Sequence, residues 1–184
     1  MRTAAVILAG GASRRMGSPK ALLTYRGRTF LDRQIELFQP CDRIVVVLGY
    51  DAERIRAGVS NSAVFVLNPN PELGQLSSLQ YGLRAAGDAD AVFFTPVDYP
   101  AIDPSTVRGL IEINVPFAMP RYQGRRGHPV LVGRDMIEEL LACQTSARDV
   151  IRAHEPLYLD VDDPGILEDI DDPTAYARLQ EVGA

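Results

Sequence analysis

Thr3-Ala-Ala-Val-Ile-Leu-Ala-Gly-Gly-Ala-Ser-Arg-Arg-Met-Gly-Ser-Pro-Lys20 opens the chain with an apolar run that breaks into glycine and then into basic residues. A short apolar run bounded by turn formers reads as a strand buried on both faces of a sheet. Arg2 in front of it gives the run the look of a signal peptide, but it is short, no cleavage site follows, and Gly10-Gly11 lead on to Arg14-Arg15. Glycines and a small serine directly after a strand let the backbone approach a ligand and turn its N–H groups toward phosphate oxygens. Arg14, Arg15 and Lys20 add fixed positive charge at the same place. The stretch therefore reads as an anion cradle at the end of a buried strand.

Apolar runs of the same kind recur at Ile44-Leu48, Val64-Leu67 and Ala91-Thr95, which predicts a parallel sheet buried on both faces. Helical faces lie between them: Phe30, Leu31, Ile35 and Phe38; Leu76, Leu79, Leu83 and Ala86; Val107, Leu110 and Ile111. Asp103-Pro104 and Asp172-Pro173 each set an N-cap aspartate before a proline suited to the first helical position. Beyond residue 115 the expectation is strands at Pro116-Pro120, Gly127-Gly133 and Leu157-Val161, helices at Arg134-Cys143 and Ala147-Ala153, and a closing helix from Pro173. With 184 residues, 46% of them hydrophobic, the chain predicts one α/β domain over 1–184: a three-layer αβα sandwich on a mostly parallel, mixed sheet.

A formal net charge of −5 argues against a nucleic-acid partner, so any bound anion must be held locally. No stretch approaches the roughly 20 apolar residues that span a bilayer, which argues against a membrane partner. Cys41 and Cys143 fit neither a zinc spacing nor a disulfide framework, and a reducing cytoplasm is the expected location.

The loop matches neither of two common phosphate motifs. The dinucleotide pattern G-x-G-x-x-G fails at Gly10-Gly11-Ala12, and the Walker pattern fails because no Lys-Ser or Lys-Thr follows Gly17. A second ligand segment runs from Asn68 to Gly82, where a turn-rich stretch enters a helix carrying Ser77 and Ser78 near its start. Free N–H groups and hydroxyls there can meet a base edge or a ribose, although serines also cap helices for local reasons. Thr95-Pro-Val-Asp-Tyr-Pro100 places Asp98 at the carboxyl edge of the sheet, the position for a metal ligand in an open α/β fold. Magnesium calls for a second carboxylate, and Asp169 and Asp171 are the candidates, with Asp172 read as a helix cap. Asp160, Asp162 and Asp163 read as a solvated turn.

Leu8, Ala9, Gly10, Gly11, Ser13, Arg15, Met16, Gly17 and Lys20 resemble the L-A-[AG]-G-x-[SG]-x-R-M-G-x-x-K signature of nucleotidyltransferases related to molybdenum cofactor cytidylyltransferase and guanylyltransferase. The likeness covers nearly the whole chain. It implies a nucleotide-diphospho-sugar transferase-like fold, with the loop around a triphosphate and Asn68, Gly74, Ser77, Ser78 and Leu79 in the nucleotide pocket. Asp98 matches the family's D-x-P, Asp171 a position usually Asp or Asn, and His128 the G-H-P-V strand on the acceptor side. The implied reaction moves a nucleoside monophosphate from its triphosphate to the phosphate of molybdopterin and releases pyrophosphate. Mg2+ (or Mn2+) would sit on Asp98 and Asp171, and Arg15 and Lys20 would face the leaving charge. A molybdoenzyme is a candidate recipient of the product.

Cytidylyltransferases of this group usually carry Leu-Ala-Ala-Gly, whereas Leu8-Ala-Gly-Gly11 is the guanylyl form, and the missing Cβ of Gly10 suggests room for a purine. Gly74-Leu83, Gly127-Val132 and Thr145-Ile151 look cytidylyl-like, so CTP is favoured slightly over GTP. Three other readings stand beside this one: a sugar-phosphate or other small-phosphate nucleotidyltransferase on the same fold, a non-catalytic carrier of cofactor or nucleotide, and a flavin- or nicotinamide-binding redox protein.

Overall fold

The run that opens the chain becomes β1 (Thr3–Ala9), and all seven of its residues are buried. A computed structural model describes residues 1–183. A small hairpin, β2 (Thr24–Tyr25) and β3 (Arg28–Thr29), precedes α1 (Phe30–Leu37). Then come β4 (Arg43–Leu48), α2 (Ala52–Ala57), β5 (Val64–Leu67), α3 (Gln75–Ala86), β6 (Ala91–Pro96) and α4 (Pro104–Glu112). The second half supplies β7 (Phe117–Tyr122), β8 (Arg125–Arg126), β9 (Val130–Gly133), α5 (Arg134–Ala142), α6 (Ala147–Ala153), β10 (Leu157–Asp160) and α7 (Pro173–Gly183).

One sheet organises these elements in the order β10-β7-β9-β6-β1-β4-β5, with β8 paired to β7. β1, β4, β5 and β6 run parallel, β9 runs against both β6 and β7, and β10 runs parallel to β7. The sheet is thus mixed and mostly parallel. Alternation along β1 divides the core. Ala5, Ile7 and Ala9 face α1 and α4 through Phe30, Leu31, Ile35, Val107 and Leu110, while Ala4, Val6 and Leu8 face α3 and α5 through Leu79, Leu83 and Leu140. That is the three-layer αβα sandwich. At Gly82 the α3 helix lies so close to the sheet that a Cβ would collide with Val6 and Val47.

Several expectations need correction. Val64–Leu67 is an edge strand with Val64 and Leu67 exposed, so its apolar run does not mark burial on both faces. Gly127-Gly133 is not one strand: β8 ends before Gly127, a cis bond joins His128 to Pro129, and β9 begins at Val130. Ile111 is only partly buried at the margin of its helical face. Both aspartate caps form, Asp103 accepting from the Ser105 N–H at 2.7 Å and Asp172 from the Ala175 N–H at 2.8 Å.

Asp163 overturns the reading of its acidic cluster as solvated. Its carboxylate is 5% exposed and accepts from the Asp103 N–H, the Thr106 hydroxyl and the Gly165 N–H at 2.9, 2.7 and 3.0 Å. It ties α4 to the short helical turn Pro164–Leu167, which leads into the segment of Asp169 and Asp171. Removing an acceptor that satisfies buried donors costs their desolvation, so Asp163→Ala lowers stability by roughly 2–3 kcal/mol in urea unfolding. A change within about 0.5 kcal/mol, the range of neutral surface substitutions, contradicts this account.

Candidate active site

The parallel strands all end at the same edge of the sheet, and the chain reverses its direction of growth there: β4 and β5 extend one side of β1, β6 the other. Backbone bonds hold the loops leaving that edge together. The Val97 N–H donates to the Leu8 carbonyl at 3.0 Å, the Tyr50 N–H to the Gly10 carbonyl at 3.3 Å, and the Asn68 N–H to the Leu48 carbonyl at 2.8 Å. Between them opens a cavity of about 420 Å³, a size ordinary for a small-ligand site. Leu8 to Arg15, Lys20, Gly74, Ser78, Asp98 and Asp171 line it, together with Tyr50, Ile55, Pro71 and Gln75.

Most of the residues singled out in the sequence meet here, but Met16, Gly17, Asn68, Ser77, Leu79, His128 and Asp169 do not line the cavity. Gly17 lies outside it in a left-handed turn at φ +66°, which accounts for glycine without a ligand. Asn68 is buried beneath the pocket, where its amide donates to the Ser77 and Ser78 hydroxyls at 3.2 and 3.0 Å and its oxygen accepts from the Asn70 N–H. Of the two serines only Ser78 reaches the lining. His128 packs on Tyr99 with ring centroids 4.6 Å apart, and burial pulls its pKa down to about 4, so the imidazole is uncharged at neutral pH.

Ser13 serves the loop itself. It takes a left-handed φ of +48°, its carbonyl accepts from the Met16 N–H, and its hydroxyl accepts from the Lys20 N–H at 3.0 Å. The serine thereby folds Lys20 back over the end of β1. Lys20 Nζ lies 3.0 Å from Asp98 Oδ2 and 2.5 Å from Asp171 Oδ1, and Arg15 reaches Asp171 Oδ2 at 3.0 Å. Asp98 is fixed from α1, where Gln34 donates to the Tyr99 carbonyl at 2.6 Å and Arg33 to the Pro100 carbonyl at 2.8 Å. The Ile170 N–H donates to the Asp98 carbonyl at 2.9 Å, and the side chain of Ile170 is buried. That anchor delivers Asp169 and Asp171 on either side of it.

Three carboxylates therefore converge, with one oxygen of each of Asp98, Asp169 and Asp171 within 4.8 Å of the others. Their pKa values move apart. Burial and the charges of Asp98 and Asp171 push Asp169 up to about 6, while the hydrogen bond from Lys20 holds Asp171 below the usual carboxylate range. Burial pulls the Lys20 ammonium down, but its bonds to Asp171 and Asp98 outweigh this and leave its pKa raised. Burial first, and then the carboxylates, push the Tyr99 phenol up to about 12.

The sequence model of the MobA-like NTP transferase domain matches residues 5–157. The chain belongs to that family. It is a nucleotidyltransferase of the MobA-like group on an αβα fold. Among relatives of this MobA-like chain, molybdenum cofactor cytidylyltransferase of Escherichia coli is 26% identical, covering 96% of this chain and 94% of its own. Nicotine blue oxidoreductase of Paenarthrobacter nicotinovorans is 31% identical, covering 95% and 94%. Among solved structures, Rv0371c of Mycobacterium tuberculosis superposes with a TM-score of 0.86 at 26% identity, covering 98% of each chain. A second structure of Rv0371c, in complex with manganese, superposes at 0.82 with 24% identity and the same coverage.

Gly10 needs a different explanation from the one its sequence suggests. A Cβ there would lie 3.2 Å from the Gly49 nitrogen and 3.4 Å from the Leu48 carbonyl carbon, so the neighbouring loop, and not a purine, takes up the space. The participation of Gly49-Tyr50 was missed in the sequence, although β4 breaks into glycine just as β1 does. Gly11 differs from Gly10. Nothing lies within 4 Å of where its Cβ would be, and its backbone is outside the left-handed region. The fold makes no demand for glycine there, and Gly11 lines the cavity. Gly11→Val should therefore leave the thermal unfolding midpoint unchanged and weaken nucleoside triphosphate binding about ten-fold in calorimetric titration. Unchanged affinity would remove the loop backbone from the binding surface.

Proposed function

We propose that this chain, acting as one catalytic domain over 1–184, transfers a nucleoside monophosphate from CTP, favoured slightly over GTP, to the phosphate of molybdopterin or its metal-loaded form, releasing pyrophosphate. The observation that carries the reading is the convergence of Lys20 on Asp98 and Asp171 beside a glycine-lined loop, within one cavity. An oxygen of the acceptor phosphate attacks the α-phosphorus in line. The bond from the α-phosphorus to its bridging oxygen breaks, and the electron pair leaves with pyrophosphate. A phosphate monoester is already a competent nucleophile near neutral pH, so positioning and charge neutralisation carry the rate. The backbone of Gly10 to Ser13 orients the triphosphate, and Lys20 and Arg15 meet the charge that develops on the leaving group.

Asp98, Asp169 and Asp171 fit a divalent cation. They offer hard oxygen donors at close quarters, and Asp98 Oδ1 is buried without a hydrogen-bond partner among the described residues. Magnesium or manganese held there would neutralise phosphate charge when bound. Manganese in the Rv0371c complex supports divalent-cation use. Asp169, a candidate from the sequence, joins the pair that the family resemblance favoured, Asp98 and Asp171. Support for CTP comes from the cytidylyltransferase relative that aligns along 96% of the chain, and from the loss of the Gly10 argument for a purine. A molybdoenzyme is the proposed recipient of the product. No helix among the described residues is long and apolar enough to cross a membrane.

The relative named as an oxidoreductase keeps a second chemistry in view, one that would need a nicotinamide or flavin cofactor. One assay separates the readings: pyrophosphate release from CTP and from GTP with molybdopterin and Mg2+, alongside oxidation of a reduced nicotinamide. The expected result is release with CTP, lowered about a hundred-fold or more in Asp98→Asn and in Lys20→Ala. Nucleotide binding without release moves a carrier or a sugar-phosphate transferase to the front, and nicotinamide oxidation without release favours the redox reading.

A further inference from the structure

The ion pairs at the site occupy three of the four carboxylate oxygens of Asp98 and Asp171, two of the three aspartates that would hold a cation. Asp98 Oδ2 and Asp171 Oδ1 both accept from Lys20, and Asp171 Oδ2 accepts from Arg15. The remaining oxygen of the two, Asp98 Oδ1, is buried without a hydrogen-bond partner among the described residues. Lys20 and Asp98 are 14% and 18% exposed, so water screens this pair little, whereas Arg15 is 68% exposed and its contact is readily given up. A divalent cation arriving alone meets an ammonium already seated between its ligands. It must either displace Lys20, leaving that charge half-buried and unpaired, or bind beside it against direct repulsion.

A triphosphate changes this balance. Gly10–Ser13, Arg15, Lys20, Asp98 and Asp171 all line the one cavity, so phosphates bound there would offer Lys20 and Arg15 several negative oxygens in place of the aspartates. From this arrangement, and resting on the reading of Asp98, Asp169 and Asp171 as the cation's ligands, we infer that Lys20 is a built-in competitor for the divalent cation. It holds Asp98 and Asp171 together until a triphosphate draws its ammonium away, so that cation and nucleotide bind as a coupled pair and the free cation binds weakly. Linkage requires the coupling to be reciprocal. The same lysine thus serves bound nucleotide and suppresses unproductive metal loading.

The consequence runs against the usual effect of deleting an active-site lysine: removing Lys20 should improve metal binding while harming the reaction. The test is titration of the full chain with Mn2+ in the absence of nucleotide, read by the paramagnetic resonance of free Mn2+. Lys20→Met and Lys20→Gln should each bind Mn2+ about ten-fold or more tightly than the parent chain. Lys20→Arg, which keeps the charge, should stay near the parent value. Mn2+ should also raise the thermal unfolding midpoint of Lys20→Met more than that of the parent, because the cation replaces the missing counter-charge. Affinities in both folded neutral variants no higher than the parent's would overturn the proposal. Adding Asp98→Asn to Lys20→Met should abolish the gain. If Mn2+ binding were indifferent to that change, the carboxylates would not be the ligands, and the site reading would fail together with this inference.

Discussion

The ammonium of Lys20 joins carboxylates that the chain supplies from 78 and 151 residues further on, and the geometry of the site hangs on that junction. Each partner reaches it by a separate route. The Ser13 hydroxyl folds Lys20 back across the end of β1, α1 grips the loop of Asp98 through Gln34 and Arg33, and the buried Ile170 pins Asp171 by bonding to the Asp98 carbonyl. Without the lysine, three carboxylates would face one another in a half-buried space, a costly arrangement without an opposing charge. The energy that orders the site comes from the elements around it, and the ion pairs record where opposite charge is required.

The sheet makes this convergence economical. β1 lies inside it, with β4 on one side and β6 on the other, so the glycine loop, Tyr50 and Asp98 leave adjacent strands at one edge. Reversal of β9 then brings the second half of the chain back beside β6, and the short turn Pro164–Leu167, tied down by Asp163, carries Asp169 and Asp171 to the same edge. Close approach at Gly10 and Gly49 seals the floor between the first two loops. Parallel strands give the site its common edge, and one antiparallel strand lets the last acidic segment close it.

Much of this was legible in the sequence, and the reasons differ by element. β1 and its loop were readable because a continuous apolar run ending in glycine has few other solutions, and the start of α4 was readable because Asp103 caps it ahead of Pro104. α2 escaped notice: it is six residues long, and its N-cap residue Asp51 is left-handed and makes no side-chain cap. The β2–β3 hairpin has two residues per strand, too few for any period to show. Asp163 looked like its solvated neighbours because hydrogen bonds from Asp103 and Thr106 are contacts across 60 and 57 residues, invisible to local pattern. Gly10 was recognised as necessary for the wrong reason, since only the three-dimensional packing shows Gly49 in the space a base was expected to use.

The three aspartates and the glycine loop are proposed to hold a cation and a triphosphate in one site. Anomalous diffraction from crystals grown with Mn2+ and a non-hydrolysable CTP analogue tests it most directly. The account predicts one manganese peak among Asp98, Asp169 and Asp171, with the phosphates on the Gly10–Ser13 backbone and Lys20 turned from the carboxylates to phosphate oxygen. A nucleotide bound elsewhere, or manganese away from all three carboxylates, would contradict it.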